Sequence, residues 1–226
     1  MHVVAAPDKF RGTASALEVA TAVERAVAEH GGTTAVLPMA DGGEGTLEAL
    51  GGPNQTSLVT GPLGGLIEAP WQLTGTTAII EMAKASGLIT IGGPEFNEVL
   101  NATSAGTGEL ILSAVEHGAT RIIVGLGGSA STDGGLGAIE AMGSPARYRG
   151  IEILVACDVN TRFVDSAKIF SPQKGATKAE VEMLERRLKR LVQIYEEKFG
   201  IDVSSLNHGG AAGGLAGGLA ALGARL

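Results

Sequence analysis

Three short segments gather the side chains that could do chemistry. Gly125–Gly135 (GLGGSASTDGG) sets Ser129, Ser131 and Thr132 beside Asp133 among glycines. Backbone amides exposed on such a loop, and the start of a helix after it, favour phosphate or carboxylate. Gly127, Gly128 and Gly134 let a ligand approach the chain closely. Asp133 could take a proton from an attacking hydroxyl, hold Mg²⁺, or simply cap the helix. Met39–Thr46 (MADGGEGT) sets Asp41 and Glu44 around glycines. Two hard oxygen donors suit Mg²⁺, and the same pair suits an N-cap at Asp41 with Glu44 three residues on. Ala6–Gly12 (APDKFRG) brings Asp8 together with Lys9 and Arg11. Those cations fit a carboxylate or a phosphate, or an ordinary solvated loop.

Weaker signals are Glu81 with Ser86, the Thr103–Thr107 stretch, Asp158 with Asn160, and Gln173–Gly175. Asp158 directly follows an apolar run. Lys174 precedes a charged helix, where it could steady a transferring phosphoryl group. The histidines are scattered without metal-ligand spacing. The sequence contains neither GxxxxGK[ST] nor GxSxG, which excludes a P-loop and a nucleophile elbow.

The elements around these segments alternate between strand and helix. Residues 2–6 read as a buried strand and 34–38 as a second strand, flanking a helix that starts after Ser15, with Glu18 completing a capping box, and runs to about His30. The acid- and glycine-rich segments therefore follow strand ends, where ligands sit in open α/β sheets. A short helix is expected over Glu44–Leu50. Residues 56–60 and 66–73 read as β around a GPLG turn, and 78–82, 121–125 and 151–156 as buried strands. Helices are expected over Thr107–His117, from Gly135 to Met142, over Lys178–Lys198 behind a Thr177/Glu180 capping pair, and over Gly209–Gly223. The pattern is α/β, with one boundary near residue 61.

Composition narrows the function classes. The chain has 226 residues, a net charge of −7 and one cysteine, Cys157. Nucleic acid is a poor partner for that charge, and a disulfide framework is excluded. The N-terminus lacks a signal-peptide pattern and no apolar stretch is long enough to span a membrane, so the expected location is cytoplasmic. Glycine, with 35 copies, is far above its usual share of about 7% but follows no collagen-like period.

Taken in order, the motifs resemble those of the type-I glycerate kinase family: APDKFRG, MADGGEGT, GPLGG, EMAKASGL, TSAGTGELI, VGLGGSASTDGG, ACDVN, PQKGA and GGAAGGLAGGL. The resemblance covers nearly the whole chain. It implies an ATP-dependent kinase phosphorylating glycerate to 2-phosphoglycerate (or 3-phosphoglycerate), with Mg²⁺ as cofactor, a small-molecule substrate, and a homodimer left open. It also implies two α/β domains with the active site in the cleft between them. One is a discontinuous Rossmann-like domain (1–60 plus 208–226) that the family's pattern continues beyond residue 226, and the other an inserted mixed α/β domain (61–207).

On that footing Asp133, Asp41 and Lys174 are expected to be catalytic, with Asp41 and Asp158 as metal ligands. Asp8, Lys9, Arg11, Glu44 and Ser86 would bind substrate. Gly127, Gly128, Ser129, Ser131, Thr132, Gly134 and Thr107 would bind phosphate or nucleotide. Asp8, Asp41 and Asp133 are expected to share one interdomain crevice. The sequence departs from the family's pattern in a short Met142–Arg149 segment, in TRFVDSAKIF after Asn160, and in Lys9 and Arg11, where many relatives carry Ser and Lys. Two other readings stand beside this one. GLGGSAS is similar to the phosphate loop of galactokinase-type (GHMP-like) kinases, and a non-catalytic metabolite-binding relative would keep the same fold.

Overall fold

The computed structural model describes residues 1–8, 10 and 13–226. Lys9, Arg11 and Gly12 therefore lie outside the described residues. Strands β1 (His2–Ala5) and β2 (Thr33–Val36) pair in parallel, joined through helix α1 (Ala16–Glu29). The helix begins where its capping box requires. Ser15 Oγ accepts from the Glu18 amide, and the Glu18 carboxylate accepts from the Ser15 amide at 2.8 Å. After β2 the chain passes through the MADGGEGT loop into the one-turn helix α2 (Thr46–Ala49). The cap expected from Asp41 is not used there. Gly45, at φ 91°, immediately precedes α2, and Asp41 Oδ1 instead accepts from Gly43 N–H at 2.8 Å, closing a tight turn.

A second sheet has the order β3-β4-β5-β6-β7. Strands β3 (Gln55–Thr60) and β4 (Leu66–Thr74) form an antiparallel hairpin. Strand β5 (Thr77–Glu81) pairs antiparallel with β4 and parallel with β6 (Arg121–Gly125), which is parallel to β7 (Glu152–Ala156). Helices α3 (Ala83–Ser86), α4 (Ala105–Glu116) and α5 (Leu136–Met142) lie between these strands in sequence, followed by α6 (Ser166–Phe170), α7 (Lys178–Phe199) and α8 (Leu215–Ala221). Trp71, Ile80, Leu110, Ile111, Ile122 and Val124 form the heart of the core, all fully buried. Leu184, Leu188, Leu191 and Tyr195 of α7 close on Phe163 in a second apolar cluster. Their near-heptad spacing is what the sequence shows as a helical stripe.

Two features of this architecture depart from the expected partition. The register Thr60↔Leu66 places residues 55–60 in the hairpin, so a boundary after residue 60 would cut a paired turn. Residues 211–221, grouped in expectation with 1–60, instead bury Ala211, Leu215, Ala216 and Leu219 against the five-stranded sheet's core. The chain then runs along β7, with Arg225 N–H donating to Ile153 O and Val155 N–H donating to Arg225 O. The reason is packing: a small-residue helix gains most by lying close on an apolar sheet face, whichever end of the sequence supplies it. No described helix is long and apolar enough to cross a membrane.

Candidate active site

The β2–α2 loop and the β6–α5 loop touch backbone to backbone. A Cβ on Gly127 would lie 2.5 Å from Gly43 Cα, and one on Gly42 would collide with the carbonyl of Ala156 at the end of β7. Glycine is required at these positions because no side chain fits between the loops. Glu44 Oε1 sits at the same seam, 3.0 Å from where a Gly128 Cβ would be.

Two hollows open on either side of this seam. One, of about 360 Å³, is lined by Asp8, Glu44, Glu48 and Lys84, with Leu17 and Met39 among its apolar residues. The other, of about 380 Å³, is lined by Gly127, Gly128, Ser129, Asp158 and Lys174, together with Phe170 and other apolar residues.

Lys174 sits in the 3₁₀ turn Pro172–Lys174 after α6 and is only 3% exposed. Its Nζ donates to Ser129 Oγ at 2.7 Å, to the Ser131 carbonyl, and to Thr132 Oγ1 at 3.4 Å. Burial pushes its pKa down to about 7, with the Asp133 carboxylate pulling the other way. A cation held this way is available to an anion entering the hollow at low reorganisation cost. Ser131 Oγ is buried beside it without a hydrogen-bond partner.

Asp133 lies behind the loop, only 7% exposed. Its Oδ2 accepts from Ser104 N–H (2.9 Å), Ser104 Oγ (2.8 Å) and Gly137 N–H (3.2 Å), and its Oδ1 from Gly135 N–H (3.1 Å). The carboxylate thus ties the starts of α4 and α5 together. Ser86 and Thr107 are also buried completely, and Thr107 Oγ1 donates to Ser86 Oγ at 2.9 Å. They touch neither hollow. Instead, Ser86 O accepts from Ala130 N–H, and Leu88 N–H donates to Gly128 O, which holds the phosphate-type loop against α3.

The expected site residues therefore separate into groups. Asp8 and Glu44 meet at one hollow; Gly127, Gly128, Ser129, Asp158 and Lys174 meet at the other. Asp41 lies in the seam loop, where its Oδ1 accepts from Gly43 N–H. Ser131, Thr132, Asp133, Gly134, Ser86 and Thr107 form the layer that supports the loop. The single crevice expected to hold Asp8, Asp41 and Asp133 is thus two adjoining hollows, with Asp133 behind their wall.

Lys84 and Glu48 were missed as site residues, and Glu81 was noted only as a weak signal beside Ser86. Glu81 is buried at the end of β5, and its Oε2 accepts from Gly45 N–H (3.0 Å) and Leu47 N–H (3.1 Å), capping α2 from 36 residues away. Burial raises its pKa, against the pull of the Leu47 amide and the Lys84 ammonium. Lys84 Nζ lies 3.3 Å from Glu48 Oε1 and 3.7 Å from Glu81 Oε1. The one signal available in sequence is the Glu81–Lys84 spacing, which puts both on one side of a turn.

No group of three or more His, Cys, Asp or Glu side chains among the described residues is arranged to hold a metal ion alone. Asp41 and Asp158 sit on loops made neighbours by the Gly42–Ala156 contact. One or two carboxylates completed by water and ligand phosphates is how Mg²⁺ is usually held with a nucleotide.

Comparison with known proteins bears on the chain as a whole. Glycerate 2-kinase of Escherichia coli (strain K12) is 39% identical over 266 aligned residues, spanning 100% of this chain and 70% of that protein. The glycerate kinase of Halalkalibacterium halodurans is 36% identical, over 97% of this chain and 68% of its own. A crystal structure assigned to glycerate kinase 2 from Salmonella typhimurium LT2 superposes with a TM-score of 0.87 at 38% identity, covering 100% of this chain and 71% of that one. The family model matches in two stretches, 3–146 and 143–226, that meet in the short turn after α5. With both stretches matched and the motif loops all inside them, the chain belongs to the glycerate kinase family.

Proposed function

We propose that this chain transfers the γ-phosphoryl group of ATP to a hydroxyl of glycerate, giving 2-phosphoglycerate. The observation that carries this reading is the buried Lys174 ammonium, hydrogen-bonded to Ser129 in a hollow walled by Gly127 and Gly128 and one seam away from the Glu44 carboxylate. Phosphoryl transfer depends on positioning and on neutralising spread charge rather than on covalent chemistry by the protein. Lys174, Ser129 and the Gly127–Ser129 amides bind the phosphates. Asp41 and Asp158 hold the nucleotide's Mg²⁺, which neutralises phosphate charge when bound. Glycerate occupies the hollow of Asp8 and Glu44, and Lys9 and Arg11, which follow Asp8 in sequence, are the cations assigned to its carboxylate. Glu44, at the seam, is positioned to take the hydroxyl proton. Asp133, whose oxygens already accept from four donors, holds the loop in place rather than acting as base. The site lies in the cleft between the β1–α1–β2 unit and the five-stranded sheet, and the enzyme works in the cytoplasm.

A coupled assay of the full-length protein with glycerate and ATP, followed by ³¹P NMR of the product, tests this. The expected outcome is ADP-linked turnover with a resonance coupled to the C2 proton. A signal coupled to C3 protons would change the product to 3-phosphoglycerate. Binding of glycerate and ATP without turnover would make this chain a non-catalytic relative.

A further inference from the structure

We infer that the hollow beside Lys174 also holds the nucleotide's base, stacked on Phe170. This rests on the kinase reading above and goes beyond it by assigning the two hollows and the base-recognition residue.

The groups that fit phosphate line the hollow beside Lys174: the buried ammonium and the loop glycines, with one carboxylate, Asp158. A preorganised ammonium of this kind favours a polyanion, so the triphosphate belongs there.

Size and lining extend the argument to the nucleoside. A phosphoryl group alone does not account for a hollow of about 380 Å³, a volume in the range of small-molecule sites, roughly 300–1,000 Å³. Its remaining wall is apolar, made by Leu88, Leu126, Val159 and Phe170. Phe170 is the aromatic side chain among the residues lining either hollow, in a chain with 4% aromatic residues. It ends α6, and Gln173 and Lys174 follow in the next turn, so ring, amide and ammonium face one space. A planar base gains from a ring face, and its edge from an amide that can both donate and accept. Ala212, also in this wall, is a non-glycine residue at φ 52°. Strained backbone of that kind persists where the surroundings over-determine it, often at ligand sites.

The test is calorimetric titration of ADP and of tripolyphosphate into the full-length protein, without glycerate. Phe170→Ala should weaken ADP about tenfold, as loss of a base-stacking ring does, and leave tripolyphosphate unchanged. Phe170→Trp should restore or strengthen ADP binding. Phe170→Leu, which keeps the apolar volume, should still weaken ADP severalfold, and serves if the alanine variant does not fold. ADP bound equally by wild type and Phe170→Leu overturns the base site alone, as does equal weakening of both ligands. Wild-type protein that binds neither ligand overturns the kinase reading and this assignment with it.

Discussion

Lys174 is a cation held almost out of water at the wall of its hollow, and its charge is therefore conditional. With its pKa lowered to about 7 by burial, the side chain is protonated below neutrality and loses its proton above it. A bound anion favours the charged form. Affinity for sulfate, whose own charge is constant in this range, should be flat well below pH 7. Above pH 7 it should fall by up to about tenfold per unit. Calorimetry across pH 6–9 checks this, and Lys174→Met should bind weakly with no such slope. Asp133 makes a contrasting case. Asparagine in its place would set an NH₂ group against donors from Ser104, Gly135 and Gly137. Asp133→Asn should therefore lower stability by about 1–3 kcal/mol, seen as a fall in Tm, along with its loss of turnover. A general base would lose turnover with Tm intact. Neither residue's surroundings could be read from the sequence. Lys174 meets Ser129 across 45 residues and Asp133 meets Ser104 across 29. The residue types were visible, but their partners were set by the fold.

At the scale of elements, legibility followed the range of the interaction. The starts of α1 and α7 were readable because each cap closes within three residues, Ser15 with Glu18 and Thr177 with Glu180. The start of α2 was not, because its cap is Glu81 on another strand. The strands of the five-stranded sheet were legible from their apolar runs. The partition of the chain between the two sheets was not, since it depends on which surfaces the hairpin and the C-terminal helix cover. The interlocked loops give the sharpest test at this scale. Gly127→Ala would drive a methyl group into the Gly43 backbone and should cost about 1–3 kcal/mol in stability, with a larger relative loss of turnover. Gly65→Ala, which meets nothing within 4 Å, should change stability by no more than about 0.5 kcal/mol. Thermal melts and steady-state rates on the pair separate crowding at the seam from glycine replacement in general.

For the molecule as a whole, the β1–α1–β2 unit packs mainly on itself and meets the larger sheet where the β2–α2 loop crosses the end of β6. The loop that would cradle phosphate and the loop that would present the acceptor are thus pressed together with no side chain between them. Such a contact has no soft layer to absorb movement, so a displacement of one loop is passed to the other. Occupancy of the two hollows should accordingly be thermodynamically linked. Glycerate should tighten the binding of a non-hydrolysable ATP analogue, and by reciprocity the analogue should tighten glycerate by the same factor. Titrations in both orders would expose any inequality, and equal affinities with and without the second ligand would mean that the seam transmits nothing.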